Sequence, residues 1–102
     1  MLYLYGKPID IIIMKLNFNF SLLDLDGNPI EEANSGKLLA NTLVQQAKGD
    51  ALKFWEWALA LNKGDVIDLD TSDQATLKAF IKDSESLSIL AKGQLLQVFK
   101  KD

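Results

Sequence analysis

The residues best placed to do chemistry together are four aspartates in one short stretch: Asp65, Asp68, Asp70 and Asp73. Carboxylates clustered in this way can bind a divalent cation or serve as general acid and base. The alternation around them predicts a short strand that places Asp68 and Asp70 on the same face. A solvated strand face gives the same pattern, and acids before a helix suit its N-terminal dipole. The cluster therefore supports only an alternative function, a divalent-metal-binding or hydrolytic domain that uses Asp65–Asp73.

Three residue types on which many catalytic and metal sites depend are missing from the chain. It has no histidine, no cysteine and no arginine, and all 11 basic residues are lysines. These absences exclude zinc fingers, thiol nucleophiles, Ser-His-Asp relays, disulfide frameworks and guanidinium clamps for phosphate. The net charge of −3 also argues against nucleic acid as a partner. The composition therefore predicts a binding protein without a cofactor, and not an enzyme.

A second acidic segment, from Asp24 to Asn28, superficially resembles a calcium-binding loop. An EF-hand needs glycine at the sixth loop position and glutamate at the twelfth. Counted from Asp24, this chain has Pro29 and Ser35 at those positions. Gly27 and Asn28 tolerate a positive φ, so the segment predicts the tip of a β-hairpin and no metal site.

The most unusual local sequence is Phe54-Trp55-Glu56-Trp57, which falls on a predicted helix. At 100° per residue, the apolar side chains of this helix cover an arc of about 220°, whereas an ordinary surface helix has an apolar arc of about 100°. Either neighbours wrap the helix on two sides, or one edge of the arc stays exposed as a protein-binding patch. We expect Trp55 in the core and an interaction patch formed by Phe54, Trp57 and Leu61, of which Trp57 and Leu61 stay partly exposed.

The N-terminal third of the chain predicts strands. From Lys15 to Leu22 apolar and polar side chains alternate strictly, which is typical of a half-buried strand. The alternation changes phase after Leu22, which a β-bulge explains. We expect residues 14–34 to form a β-hairpin with this strand as its first arm.

The first thirteen residues have two interpretations. Residues 2–5 and 9–13 are both strand-like, and the Gly-Lys-Pro sequence at 6–8 predicts a turn between them. Alternatively, translation starts at Met14, because the clean alternation begins directly after it, and residues 1–13 are a non-native N-terminal extension. The sequence leaves both interpretations open.

Two helices in the middle of the chain predict an αα-hairpin. The first is capped by Ser35 and runs to about Lys48. Gly49 and Asp50 then end the first helix and cap the second, which spans residues 51–62. The apolar stripe of the first helix, which we expect to face the core, consists of Leu39, Ala40, Leu43, Val44 and Ala47.

A short strand and two more helices complete the predicted elements. Residues 66–70 alternate like a strand. Thr71 with Gln74 three residues later forms a capping box that opens a third helix. Ser84 or Ser86 can cap a fourth helix.

Five short motifs occur along the chain after its first thirteen residues. They are Met14-Lys15-Leu16, Leu25-Asp26-Gly27-Asn28-Pro29-Ile30, Gly36-Lys37-Leu38-Leu39-Ala40-Asn41, Ile67-Asp68-Leu69-Asp70 and Ala91-Lys92-Gly93-Gln94-Leu95-Leu96. In these turns and caps the chain resembles a group of small proteins that tailed phages and prophages encode near tail-morphogenesis genes. The resemblance implies a phage accessory or assembly factor, and it implies no site residues.

Together these observations predict one α+β domain over residues 1–102, with a small antiparallel N-terminal sheet packed on about four helices. We expect a noncatalytic protein–protein interaction or assembly accessory protein in the host-cell cytoplasm. Its partner is a phage tail or virion component, a host protein or a second copy of itself. A membrane role is not expected, because the apolar run Ile9–Met14 is interrupted by Asp10 and is far shorter than the roughly 20 residues of a membrane helix. No signal peptide is expected either.

Overall fold

Four helices and three antiparallel pairs of short strands make up the part of the chain that the computed structural model describes, residues 2–4, 7–9 and 13–100. The strands are β1 (Leu2–Leu4), β2 (Lys7–Ile9), β3 (Met14–Leu16), β4 (Ser21–Leu23), β5 (Pro29–Asn34) and β6 (Ile67–Leu69). The helices are α1 (Ser35–Val44), α2 (Ala51–Lys63), α3 (Thr71–Asp83) and α4 (Ile89–Gln97), followed by a 3-10 turn, Val98–Lys100. The α+β class is as predicted, although the strands form three separate pairs.

The predicted continuous strand at 15–22 is two strands with different partners, since β3 pairs with β6 and β4 pairs with β5. Between them, the amide of Asn19 donates to the side-chain oxygen of Asn17 at 2.8 Å. The amide of Phe20 donates to the carbonyl of Phe18 at 2.9 Å. Such local bonds compete with strand pairing, so the strand breaks here. The predicted alternation of burial persists, and the inward residues are Leu16, Phe18, Phe20 and Leu22.

β4 and β5 form the predicted hairpin. The register shifts between Ser21 and Leu23, where the sequence predicts a bulge. At the tip, Gly27 has a φ of 86°, in the left-handed region that glycine adopts without strain. The turn is therefore where the sequence predicts it, but the hairpin spans residues 21–34 and not 14–34, because β3 pairs with β6.

β1 and β2 form the predicted N-terminal pair, but with a shorter turn. Leu4 lies opposite Lys7 in the antiparallel register. Lys7 and Pro8 therefore belong to β2, whereas the sequence predicts them in the turn. The predicted strand positions 5 and 10–12 lie outside the described residues.

Asn34 caps α1, whereas the sequence predicts Ser35. The side-chain oxygen of Asn34 accepts a hydrogen bond from the amide of Lys37 at 3.0 Å. Ser35 is the first residue of the helix, and its hydroxyl is fully buried with no hydrogen-bond partner in the described part of the chain. Asparagine and serine both have a side-chain oxygen that can accept a hydrogen bond from an amide of the first helical turn, so either of two adjacent residues can cap the helix.

The loop between α1 and α2 is longer than predicted, because α1 ends at Val44 and not near Lys48. Ala47, which was predicted in the apolar stripe, is therefore exposed in the loop. Gly49 has a φ of 118° and passes close to Phe54, where an added Cβ would lie 2.7 Å from the aromatic ring. The missing side chain of Gly49 thus allows the Phe54 ring to lie against the loop, and Gly49 does not end α1.

Side-chain caps also set the ends of α2 and α3. Asp50 caps α2 as predicted, accepting from the amide of Lys53, and Gly64 ends it with a φ of 84°. Asp70 caps α3, since its carboxylate accepts from the amide of Asp73 at 2.8 Å. The predicted cap of α3, Thr71, is the first helical residue instead.

α4 begins later than predicted. Its cap is Ser88, whose hydroxyl accepts from the amide of Ala91 at 3.2 Å. The predicted caps, Ser84 and Ser86, lie in the preceding loop with their hydroxyls 3.2 Å apart. They are bound to each other and so do not cap the helix.

A single hydrophobic core contains buried side chains from all four helices and from β3, β4 and β6. At its centre the rings of Phe18 and Phe99 meet edge-on, with centroids 5.9 Å apart. The core includes Leu77 and Ile81 of α3 and Ala91 and Leu95 of α4, together with Leu87 and Val98 on either side of α4. None of the described helices is long and apolar enough to cross a membrane.

Candidate protein-docking surface

The residues predicted as an interaction patch lie on the inner side of α2. Trp57 is only 8% exposed, and Leu61 is buried. Phe54 is half-buried, with its ring stacked on Trp57 at a centroid distance of 5.7 Å and edge-on to Phe80 at 5.5 Å. The prediction that Trp57 and Leu61 remain exposed is therefore wrong, since both side chains belong to the core.

Helix α3 contacts the edge of α2 that contains Lys53 and Phe54. The Nζ of Lys53 on α2 lies 2.6 Å from the Oδ1 of Asp73, in the first turn of α3. The same Nζ lies 6.0 Å from the centroid of the Trp57 ring. The hydrogen bond to Asp73 raises the pKa of Lys53 above its ordinary value, against the opposing effect of desolvation. The ion pair and the Phe54–Phe80 contact together hold α3 against this edge of α2.

The tryptophan at the surface is Trp55, which is 53% exposed although the sequence predicts it in the core. Leu52 and Leu59 lie three residues before and four residues after it, so they share its side of α2, and both are exposed. Val44, at the end of α1, is also exposed although it was predicted to face the core. We call these four apolar side chains the Trp55 face.

Between α1 and α2, the Trp55 face borders a groove of about 210 Å³, which we call the Trp55 groove. Its lining combines apolar side chains with two carboxamides, from Val44, Trp55, Ala58, Leu59, Asn41 and Asn62. A second hollow of about 190 Å³ also borders Trp55, and Lys48 and Phe54 contribute to its lining. Trp55 is therefore accessible from two hollows of the same surface.

Three exposed lysines lie on or between the two helices that form the groove: Lys37, Lys48 and Lys63. Lys37 lies one helical turn before Asn41, and Lys48 borders the second hollow. Lys63 lies seven residues after Glu56 and therefore on the same side of α2 as this acid. None of the three lysines forms an ion pair with any residue in the described ranges. The lining of the Trp55 groove itself is uncharged.

The four clustered aspartates do not form one site. Asp68 on β6 pairs with Lys15 on β3 at 3.1 Å. Asp73 forms the ion pair with α2 described above, and Asp65 is exposed. Contrary to the prediction, Asp68 and Asp70 do not share a strand face, because β6 ends before Asp70, which caps α3. Within residues 2–4, 7–9 and 13–100, no group of three or more acidic side chains is arranged to hold a metal ion.

The spacing of apolar residues in the sequence places the Trp55 face on one side of α2. It does not show which edge of the apolar arc of α2 is exposed. Leu52, Trp55 and Leu59 occur at positions i, i+3 and i+7, on one side of a helix. Trp57 and Leu61 occur at i and i+4, on another side. Both sets belong to the same wide apolar arc, and only the packing of other elements against α2 decides which set is covered.

The fold and the geometry above are the basis for assigning a function, because comparisons with known proteins add nothing to them. No protein-family model matches the chain, and neither a curated protein nor a solved structure is significantly similar to it.

Proposed function

We propose that this protein is a noncatalytic interaction or assembly accessory protein that binds a protein partner through the Trp55 face. The observation that supports the proposal is the exposure of Trp55 beside an apolar groove, together with three more exposed apolar side chains. Tryptophan is enriched among the residues that contribute most to binding at protein interfaces. Exposed apolar patches with a polar rim are typical of such interfaces.

The composition of the groove suits a protein ligand. Its walls are largely apolar, and the carboxamides of Asn41 and Asn62 add hydrogen-bond donors and acceptors. An apolar centre with polar groups around it is the usual arrangement of a protein interface.

The proposed setting is a phage or prophage, with the protein acting in the host-cell cytoplasm. The support for this setting is the resemblance of the turn and cap motifs, such as Leu25–Ile30, to those of small phage proteins encoded near tail genes. On this proposal the partner is a tail or virion component, a host protein or a second copy of the chain.

A pull-down with matched variants tests the proposed surface. Trp55→Ser removes the largest side chain of the Trp55 face, and Ile89→Ser removes a side chain that is 83% exposed but lies at the start of α4. We expect the wild type and Ile89→Ser to retain the same protein and Trp55→Ser to lose it. Equal retention by all three would remove the Trp55 face from the interaction. Trp57 is unsuitable for this test because it is part of the core.

A further inference from the structure

One side of strand β4, which we call the β4 edge, faces away from β5 and has no strand partner among the described residues. At the end of β4, the amide of Asp24 is turned toward β5 and donates to the carbonyl of Asn28 at 2.8 Å. The bonding groups of successive residues point to opposite sides of a strand, so the amide and the carbonyl of Leu23 lie on the β4 edge. An open edge of this kind can pair with the edge of a second chain.

The side chain of Gln94, on α4, binds both of these groups of Leu23. Its Oε1 accepts from the amide of Leu23 at 2.8 Å, and its Nε2 donates to the carbonyl of Leu23 at 2.8 Å. A residue of a neighbouring antiparallel strand would make the same two kinds of bond. The Nε2 also donates to the carbonyl of Leu90 at 3.4 Å, so each of its two hydrogens has a partner. One side chain thus takes the place of a strand partner.

The sequence of β4 does not protect its edge. Natural edge strands often contain a lysine, another charged residue or a proline, which oppose pairing with a second chain. β4 consists of Ser21, Leu22 and Leu23, which are neither charged nor proline. Leu23 is 40% exposed and borders an open hollow of about 330 Å³ between β4 and α4, which Gln94 also lines. The bonding groups of Leu23 are therefore covered by the Gln94 carboxamide at a place that opens to solvent.

We propose that Gln94 protects the β4 edge and prevents two copies of the protein from pairing through it. The excluded occupant is β4 of a second copy, because two identical strand edges match in their hydrogen-bonding groups when a twofold axis relates them. The exposed part of each Leu23 side chain would add apolar contact to such a pair. The inference does not depend on the Trp55 face, which lies on α1 and α2.

Two substitutions of Gln94 remove the protection in different ways. Gln94→Leu keeps the size of the side chain without its hydrogen-bonding groups, and Gln94→Asn keeps the carboxamide but is one methylene shorter and does not reach Leu23. The side chain is only half-buried, so both variants are expected to fold, which circular dichroism checks. In sedimentation velocity up to millimolar concentration, both variants should shift from the wild-type mass to twice that mass. Comparison with the wild type at equal concentration removes any association through the Trp55 face, which all samples share.

The matched control is Gln97→Leu, and Ser21→Lys is the rescue. Gln97 lines the same hollow from the same helix, but its substitution leaves both bonds between Leu23 and Gln94 in place. Gln97→Leu should therefore keep the wild-type mass. Ser21→Lys places a charge on the exposed first position of β4. Added to Gln94→Leu, it should restore the wild-type mass, because like charges on two paired strands repel each other.

Hydrogen exchange at the amide of Leu23 shows whether the β4 edge is the contact. In the wild type this amide should exchange slowly at every concentration, because Gln94 accepts its hydrogen bond. In dilute Gln94→Leu it should exchange about tenfold faster, since the bond is lost. At high concentration its exchange should slow again, because the second copy then accepts the bond.

Three results would overturn the proposal: Gln94 variants that keep the wild-type mass, a Gln97→Leu control that gains mass as they do, or a Ser21→Lys substitution that fails to restore the wild-type mass. Association of Gln94→Leu but not of Gln94→Asn would also overturn it, because the added apolar side chain and not the lost contact would then be the cause. None of these results bears on the pull-down with Trp55→Ser, so the proposed function is tested separately.

Discussion

Trp55 and Trp57 lie two positions apart on α2 and occupy opposite environments. Trp57 stacks on Phe54 and is 8% exposed, whereas Trp55 borders the α1–α2 groove and is 53% exposed. The difference arises because Trp57 faces the hydrophobic core, whereas the side of α2 that contains Trp55 is left uncovered. One tryptophan therefore contributes to the stability of the fold, and the other is available to a partner.

Substitution of the two tryptophans separates these roles. Trp57→Ala should lower the free energy of unfolding by about 3 kcal/mol or more, because it leaves a cavity in the core. Trp55→Ala should lower it by less than about 1 kcal/mol, since a half-exposed side chain loses few contacts. Urea unfolding monitored by far-ultraviolet circular dichroism measures both losses. Equal losses would contradict the assignment of one tryptophan to the core and one to the surface.

Two glycines should respond in opposite directions to alanine. Gly64 has a φ of 84°, and an added Cβ would lie 3.0 Å from the Asn19 side chain, so Gly64→Ala should destabilise the protein by about 1 kcal/mol or more. Gly93 lies inside α4 with nothing within 4 Å of an added Cβ. Gly93→Ala should therefore stabilise the protein by about 1 kcal/mol. Thermal unfolding of both variants checks the pair, and a loss of stability in Gly93→Ala would show that this glycine has a packing role.

Removing the hydroxyl of Ser35 should stabilise the protein. The group is buried without a partner in the described part of the chain, and an unsatisfied buried polar group costs about 1–3 kcal/mol. We expect Ser35→Ala to raise the free energy of unfolding by about 1 kcal/mol. The matched control is Thr42→Ala, because the buried Thr42 hydroxyl donates to the carbonyl of Leu38 at 2.8 Å. That variant should lose stability, and a loss in Ser35→Ala as well would indicate that its hydroxyl is bonded.

The Lys53–Asp73 pair should make stability depend on alkaline pH. The hydrogen bond to Asp73 raises the pKa of Lys53 in the folded state. Its contribution is therefore complete below the ordinary lysine pKa of about 10.4 and is lost as pH rises through the higher folded value. Asp73→Asn should lower the pKa of Lys53 and reduce this loss. Titration of the Lys53 side chain by nuclear magnetic resonance measures the change, and an identical midpoint in both proteins would contradict it.

Local structure was largely accessible from the sequence, because its causes lie within a few residues. The hairpin tip at Gly27 and the cap at Asp50 depend on turn and cap chemistry that neighbouring residues supply. The sequence did not show which residue caps a helix where two candidate cap residues are adjacent. Asn34 stands next to Ser35, and Asp70 stands next to Thr71, and both members of each pair can cap a helix.

The candidate site could not be predicted in the same way, because the exposure of a side chain depends on packing between segments that are distant in the sequence. The apolar arc of α2 contains both tryptophans, and the spacing of residues within a helix does not show where α3 lies. The pairing of β3 with β6 likewise joins residues about fifty positions apart, such as Lys15 and Asp68. Both features require tertiary contacts that no local pattern in the sequence reports.

The most direct test of the Trp55 face is site-specific photocrosslinking. A benzophenone amino acid replaces Leu59 beside Trp55, or Ile89 as a control that is more exposed but lies away from the groove. Irradiation in the cells that express the protein should give a discrete covalent adduct from position 59 and none from position 89. An adduct of two chain masses identifies a second copy, and any other mass identifies a different partner. The absence of an adduct at position 59, or equal adducts at both positions, would contradict the proposal that the Trp55 face binds a protein.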